Sequence, residues 1–130
     1  EPDDRRGEED VWIASNRATS GFWEMIRQRY QATQIIWECK NFSDLSSDAF
    51  HQCLYYMTQE IGRFSILCFR EKVKDHYFEH TKRVAHQTNG GIVLLLTDQD
   101  LKVFIRQAMH GKLKEDHIQD IYDRTVRRIS

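Results

Sequence analysis

The six residues Phe64-Ser65-Ile66-Leu67-Cys68-Phe69 narrow the folds open to this chain more than any other stretch. Five of the six are apolar, and they do not alternate with polar residues as a half-exposed strand would. A run of this kind belongs to a strand covered on both faces, which needs helices packed on either side of a sheet. Ile92 to Leu96 repeats the pattern, while Gln34 to Lys40 and Val11 to Ala14 are apolar runs bounded by polar residues. Between these runs the apolar spacing turns helical. Phe22, Trp23, Ile26 and Tyr30 predict a helix over about 20–30; Phe50, Leu54, Met57 and Ile61 predict one from near Asp48 to Ile61. Further helices are expected over about 73–87, from Thr97 or Asp98 to Met109, and from Lys112 to the end, the last with Ile118, Ile121, Tyr122, Val126 and Ile129 along one side. Thr19 or Ser20, Ser46 or Ser47, and Thr97 or Asp98 stand where N-caps are wanted, and Gly62 where a C-cap is. Strands separated by helices predict an α/β domain of about four strands, parallel neighbours in the sheet, and helices on both faces. A dinucleotide-binding fold is disfavoured, because no G-x-G-x-x-G follows the first strand and Asn89-Gly90-Gly91 precedes a strand, not a helix.

With 130 residues, 40% hydrophobic and 30% charged, the expectation is one globular domain spanning 1–130. No apolar stretch reaches membrane-spanning length, and Glu1 to Asp10 is too acidic for a secretion signal. Cys39, Cys53 and Cys68 lie apart in apolar stretches without a C-x-x-C pairing, as buried thiols of a reducing, cytoplasmic compartment would.

Chemistry is concentrated at Glu38-Cys39-Lys40, the end of the second apolar run. Side chains alternate along a strand, so Glu38 and Lys40 share one face and Trp37 and Cys39 the other. A carboxylate and an ammonium at the mouth of a buried strand are costly without partners. An amine in that position is expected to contribute little to packing. Upstream, Glu8-Glu9-Asp10 leads into the first strand; downstream, Gln52 and Tyr56 are four apart and share a helix face.

An acid at a strand entry, E-x-K at a strand end and Q-x-x-x-Y on the following helix resemble the PD-(D/E)XK nuclease superfamily, closest to its RecB-like and Mrr-like branches. The resemblance covers roughly residues 7 to 70. It implies a restriction-endonuclease-like mixed sheet and an Mg²⁺- or Mn²⁺-dependent endonuclease acting on DNA. Asp10 and Glu38 would be the metal ligands, joined by the carbonyl of Cys39. Lys40 would orient the attacking water and offset developing charge, Gln52 would steady Lys40 or that water, and Tyr56 would contact the phosphate backbone. Restriction, repair and antiphage defence are the settings in which similar nucleases serve. Two features depart from the family. A long insertion with its own helix separates Asp10 from Glu38, where a tight hairpin is usual. Only nine residues precede Asp10, so the expected N-terminal helix and strand are missing, and a piece of a larger protein is expected. A catalytically silent nucleic-acid-binding or oligomerisation module of the same fold, or an RNA-cleaving relative, are the alternatives.

Net charge is −1, weak for a protein that grips nucleic acid alone. Arg63 with Arg70, Lys72 and Lys74, Lys82 with Arg83, and Arg124 with Arg127 and Arg128 are the basic clusters that could track phosphates. An additional domain or a homodimer, docking through the last helix or the edge of the first strand, is expected to supply affinity. His76 and His80 have a zinc-compatible i, i+4 spacing but lack the H-E-x-x-H pattern, and packing roles are favoured for them. His51, His86, His110 and His117 have no evident partner in the sequence, and Asp98 and Asp100 read as helix caps.

Overall fold

The computed structural model describes residues 11–40, 47–57, 61–70, 72–109 and 115–130. Asp10 and Ser46 therefore lie outside the described residues. The described elements are β1 (Val11–Ser15), α1 (Gly21–Tyr30), β2 (Gln34–Cys39), α2 (Ser47–Met57), β3 (Phe64–Phe69), α3 (Tyr77–Gln87), β4 (Ile92–Thr97), α4 (Asp98–Met109) and α5 (Asp116–Ile129). They form an α/β fold around one mixed four-stranded sheet of order β1-β2-β3-β4. β3 and β4, the latter at one edge, are the buried strands expected of uninterrupted apolar runs, all six residues of β3 being buried.

Alternation along the strands divides the core in two. Phe64, Ile66 and Cys68 of β3 with Ile92, Leu94 and Leu96 of β4 pack under Phe22 and Ile26 of α1 and Ile118 and Tyr122 of α5. Leu67, Phe69, Val93 and Leu95 point the other way, under Phe50, Cys53 and Met57 of α2 and Tyr77 and Val84 of α3. Helices thus cover both faces of the sheet. The last helix buries Ile118, Ile121 and Tyr122 within this chain. Val126 and Ile129, on the same stripe, are partly buried against that cluster.

The first strand makes the sheet mixed, as the resemblance implies. β2, β3 and β4 run parallel, but β1 pairs with β2 antiparallel, from Val11↔Glu38 to Ser15↔Gln34. The helix between them is an insertion in a hairpin, not a crossover. Asn16 closes the neck: its backbone N–H donates to Thr33 O at 2.8 Å, and its side-chain amide donates to Trp23 O at 2.9 Å and Ala32 O at 3.1 Å. These bonds return the chain beside its starting strand, so the hairpin survives with α1 at its tip.

The capping residues also differ from those expected. Ser20 stands at the N-cap of α1 but makes no side-chain capping bond. Glu115 takes that role from 93 residues away, accepting the Phe22 N–H at 2.7 Å. A carboxylate there also complements the helix dipole. Glu115→Ala is expected to cost about 1 kcal/mol, the usual size of a lost cap, read as a lower urea midpoint with an unchanged slope. Residues 58–60, before the expected C-cap Gly62, lie outside the described residues; Gly62 itself, with φ +139°, lies where a Cβ would come within 2.6 Å of Ala32 Cα. Two helix starts are later than the periodicity predicts. α3 begins at Tyr77 after turns in which Tyr77 N–H donates to Lys74 O, and α5 begins at Asp116. At α4 it is Thr97 that caps, its hydroxyl accepting Asp100 N–H at 3.4 Å while Asp100 accepts the Thr97 N–H at 2.9 Å.

Candidate functional site

The C-terminal ends of the parallel strands form one rim of the sheet, and Glu38 stands there on β2. Strand alternation sends Trp37 and Cys39 toward α1 and α5 and turns Glu38 toward α2. Glu38 is fully buried. The Lys40 ammonium lies 3.1 Å from Glu38 Oε2 and donates to Gln52 Oε1 on α2 at 2.7 Å. The Lys40 side chain is only 9% exposed, so it is a packed component of the sheet's mouth. That corrects the expectation that its amine contributes little to packing. Lys40 N–H meanwhile donates to Cys68 O at 2.9 Å, extending the β2–β3 ladder past the strand end and fixing where the side chain starts.

Behind this pair lies Cys53, one residue from Gln52. Burial, and then the nearby Glu38 charge, push its thiol up to about 12. It is a core thiol with no nucleophilic character at neutral pH. Cys39 and Cys68 are register partners on β2 and β3, and their contact together with burial raises the Cys68 thiol. All three cysteines are free. Tyr56, one turn beyond Gln52, is half-buried against the α2–α3 side of the core, its ring edge-on to Tyr55 with 5.4 Å between centroids.

The structure therefore brings Glu38, Lys40 and Gln52 into contact, and places Cys39 beside them in the strand. Asp10 lies outside the described residues, but the residue after it, Val11, is the Cα partner of Glu38. Among the described residues no three histidine, cysteine, aspartate or glutamate side chains cluster as a metal site.

Elsewhere, His117 has a partner that the sequence did not reveal. Its Nε2 is 2.8 Å from Asp100 Oδ1, joining α5 to the start of α4. The signal was weak: 17 residues separate them, on two successive helices. His80 stacks on Phe50 with 4.8 Å between ring centroids and meets His76 edge-on, a packing arrangement. Burial, then the charges of Arg83, His76 and His51, lower the His80 pKa. The folded state thus binds a proton less readily than the unfolded chain does. His80 stabilisation is full above the ordinary histidine value of about 6.5 and is lost as pH falls from there through the lowered folded value. His80→Phe is expected to flatten the acid side of the melting-temperature profile; an unchanged profile would contradict this.

No family model and no solved structure matches this chain. It is similar to the putative transposon gamma-delta 80.3 kDa protein of Escherichia coli (strain K12), 22% identical over 123 residues. The match covers 90% of this chain and 16% of that protein, so the chain spans about a sixth of the relative's length. Among the described residues no helix is long and apolar enough to cross a membrane.

Proposed function

We propose that this chain is a metal-dependent phosphodiesterase that cleaves nucleic acid, DNA in the first instance, on a restriction-endonuclease-like sheet. The observation that carries this reading is the contact of Lys40 with both Glu38 and Gln52 at the end of β2. Carboxylate and carbonyl oxygens are hard donors that suit Mg²⁺ or Mn²⁺. Glu38 with the Cys39 carbonyl offers two of them, and Asp10 is the carboxylate required to complete the set. Asp10 is bonded to Val11, so covalent geometry keeps its Cα about 3.8 Å from that of the Glu38 partner. A bound divalent cation would supply an acidified water and a polarised phosphate.

The chain's own residues do the rest. Among the described residues, two N–H groups of the Lys40 ammonium are engaged, by Glu38 and Gln52. An ammonium has three, and the third is available to hold a water or a phosphate oxygen as negative charge grows there. Gln52 is the positioning residue that fixes the ammonium. Tyr56, on the same helix face, contacts the phosphate backbone. The name of the Escherichia coli relative refers to a transposon, which is in keeping with DNA as the polymer.

The test is cleavage of supercoiled DNA by the purified chain. Nicking in Mg²⁺ that stops in EDTA and is lost in Asp10→Asn is the expected result; cleavage of RNA alone would move the reading to an RNA-cleaving enzyme. The full burial of Glu38 favours a second reading, in which the ion pair only orders the end of β2 and the chain is a silent nucleic-acid-binding or oligomerising module. DNA binding without cation-dependent cleavage would select it.

A further inference from the structure

The register row that holds Glu38 continues through Leu67 to Leu95, two strands away on the same face. At strand spacings of about 4.8 Å this is a separation of about 10 Å. Leu95 forms part of the floor of a cleft of about 540 Å³ between the end of β4, the start of α3 and one side of α5. The floor is apolar, with Phe78 and Ile121 beside Leu95. The walls are cationic: Lys72 from the segment after β3 faces Arg124, Arg127 and Arg128 of α5. The fold thus joins two basic clusters that are about fifty residues apart in the chain.

Two carboxylates also line the cleft, and both are engaged. Asp100 is held by His117 and by Thr97, and Asp75 lies 3.4 Å from Arg128. Among the described residues, four cations against two carboxylates leave two positive charges in a chain whose net charge is −1. The Arg128 guanidinium lies over the Phe78 ring, 4.2 Å from its centroid. This ties the cationic wall to the aromatic floor. Residues 124, 127 and 128 recur at helical spacing and share one side of α5. They form a track along the helix, longer than a single phosphate needs.

We propose that this cleft binds a nucleic-acid strand, with successive phosphates on Arg124, Arg127 and Lys72 and a base against the Arg128 guanidinium that covers Phe78. It leads the strand to Glu38 and Lys40; this last step rests on the phosphodiesterase reading. A concave wall of cations over an apolar floor is the arrangement that combines phosphate pairing with stacking of an unpaired base. The volume lies in the range of sites for a ligand of nucleotide size.

The test is fluorescence anisotropy with fluorescein-labelled single-stranded DNA and RNA in EDTA over a salt series, so that binding is read without cleavage. Arg124→Gln/Arg127→Gln changes two exposed side chains. It is expected to weaken binding about tenfold and to make the log–log salt slope shallower by about 1.4, at about 0.7 for each phosphate that is no longer neutralised. Lys82→Gln/Arg83→Gln on α3, which removes equal charge outside the cleft, should leave the slope unchanged. No oligonucleotide binding by the unaltered chain, an unchanged slope in the arginine variant, equal loss in both variants, or binding to anionic lipid vesicles alone would each overturn the proposal. Hydrolysis of bis(para-nitrophenyl) phosphate, too small to need the cleft, judges the phosphodiesterase separately. Failure there with strand binding intact removes the enzyme and keeps the cleft.

Discussion

Lys40→Ala is expected to lose catalysis and stability together. On the proposed function, an ammonium that stabilises developing charge at the phosphate would account for about 10²–10³ in rate, by analogy with the removal of one oriented donor. The same substitution leaves the fully buried Glu38 carboxylate without the charge that lies 3.1 Å away. Breaking a buried pair from one side costs about 3–5 kcal/mol. At about 4 °C per kcal/mol for a domain of this size, the melting temperature should fall by at least about 10 °C. The double variant Glu38→Leu/Lys40→Met separates the two effects. Replacing both charges by apolar groups of similar volume is often neutral for stability, so folding should recover while cleavage stays absent. A Lys40→Ala protein that melts like the unaltered chain would show that the pair is not the packed unit described above. A double variant that cuts DNA would remove Glu38 and Lys40 from the chemistry.

Phe64→Ala is expected to produce the largest purely structural effect. Phe64 is fully buried, edge-on to Trp23 and tilted against Tyr30, each at 6.1 Å between ring centroids. It thereby joins β3 to α1, the helix at the tip of the β1–β2 hairpin. Removing such a ring costs about 3–5 kcal/mol through lost burial and the cavity left behind. A fall of about 15 °C in melting temperature follows. Its side chain lies on the face opposite Glu38, so cleavage measured well below the transition should change little. A shift under about 5 °C would mean that α1 is not anchored through this residue.

The two most buried strands were legible because their composition admits no other environment. The run from Phe64 to Phe69 became β3 residue for residue, and Ile92 to Leu96 became β4 with Thr97 added. The direction of β1 was legible only through the resemblance, which implied a mixed sheet with a helix inserted in a hairpin. Strand–helix alternation alone reads that helix as a crossover, and the antiparallel register with the tertiary bonds of Asn16 makes it a hairpin tip. Nor could the cap of α1 be read, since Glu115 arrives from the far end of the chain. At the site, alternation along β2 placed Glu38 and Lys40 on one side, and helical spacing placed Gln52 on the face that meets them. The depth of the pair was not legible, because strand-end residues read as half-exposed until the packing of α2 over them is known. The union of Lys72 with Arg124 and Arg127 was hidden for the same reason: spacing reports neighbours along an element, not elements that meet.

The most direct measurement is a crystal of this chain soaked in Mn²⁺, with anomalous scattering used to locate the metal. The account predicts one peak at the end of β2, with oxygens of Glu38 and Asp10 and the Cys39 carbonyl as ligands at about 2.0–2.6 Å, and Lys40 Nζ beside it still bonded to Gln52. A crystal with Asp10 directed away from Glu38, and no manganese there at saturating concentration, would contradict it.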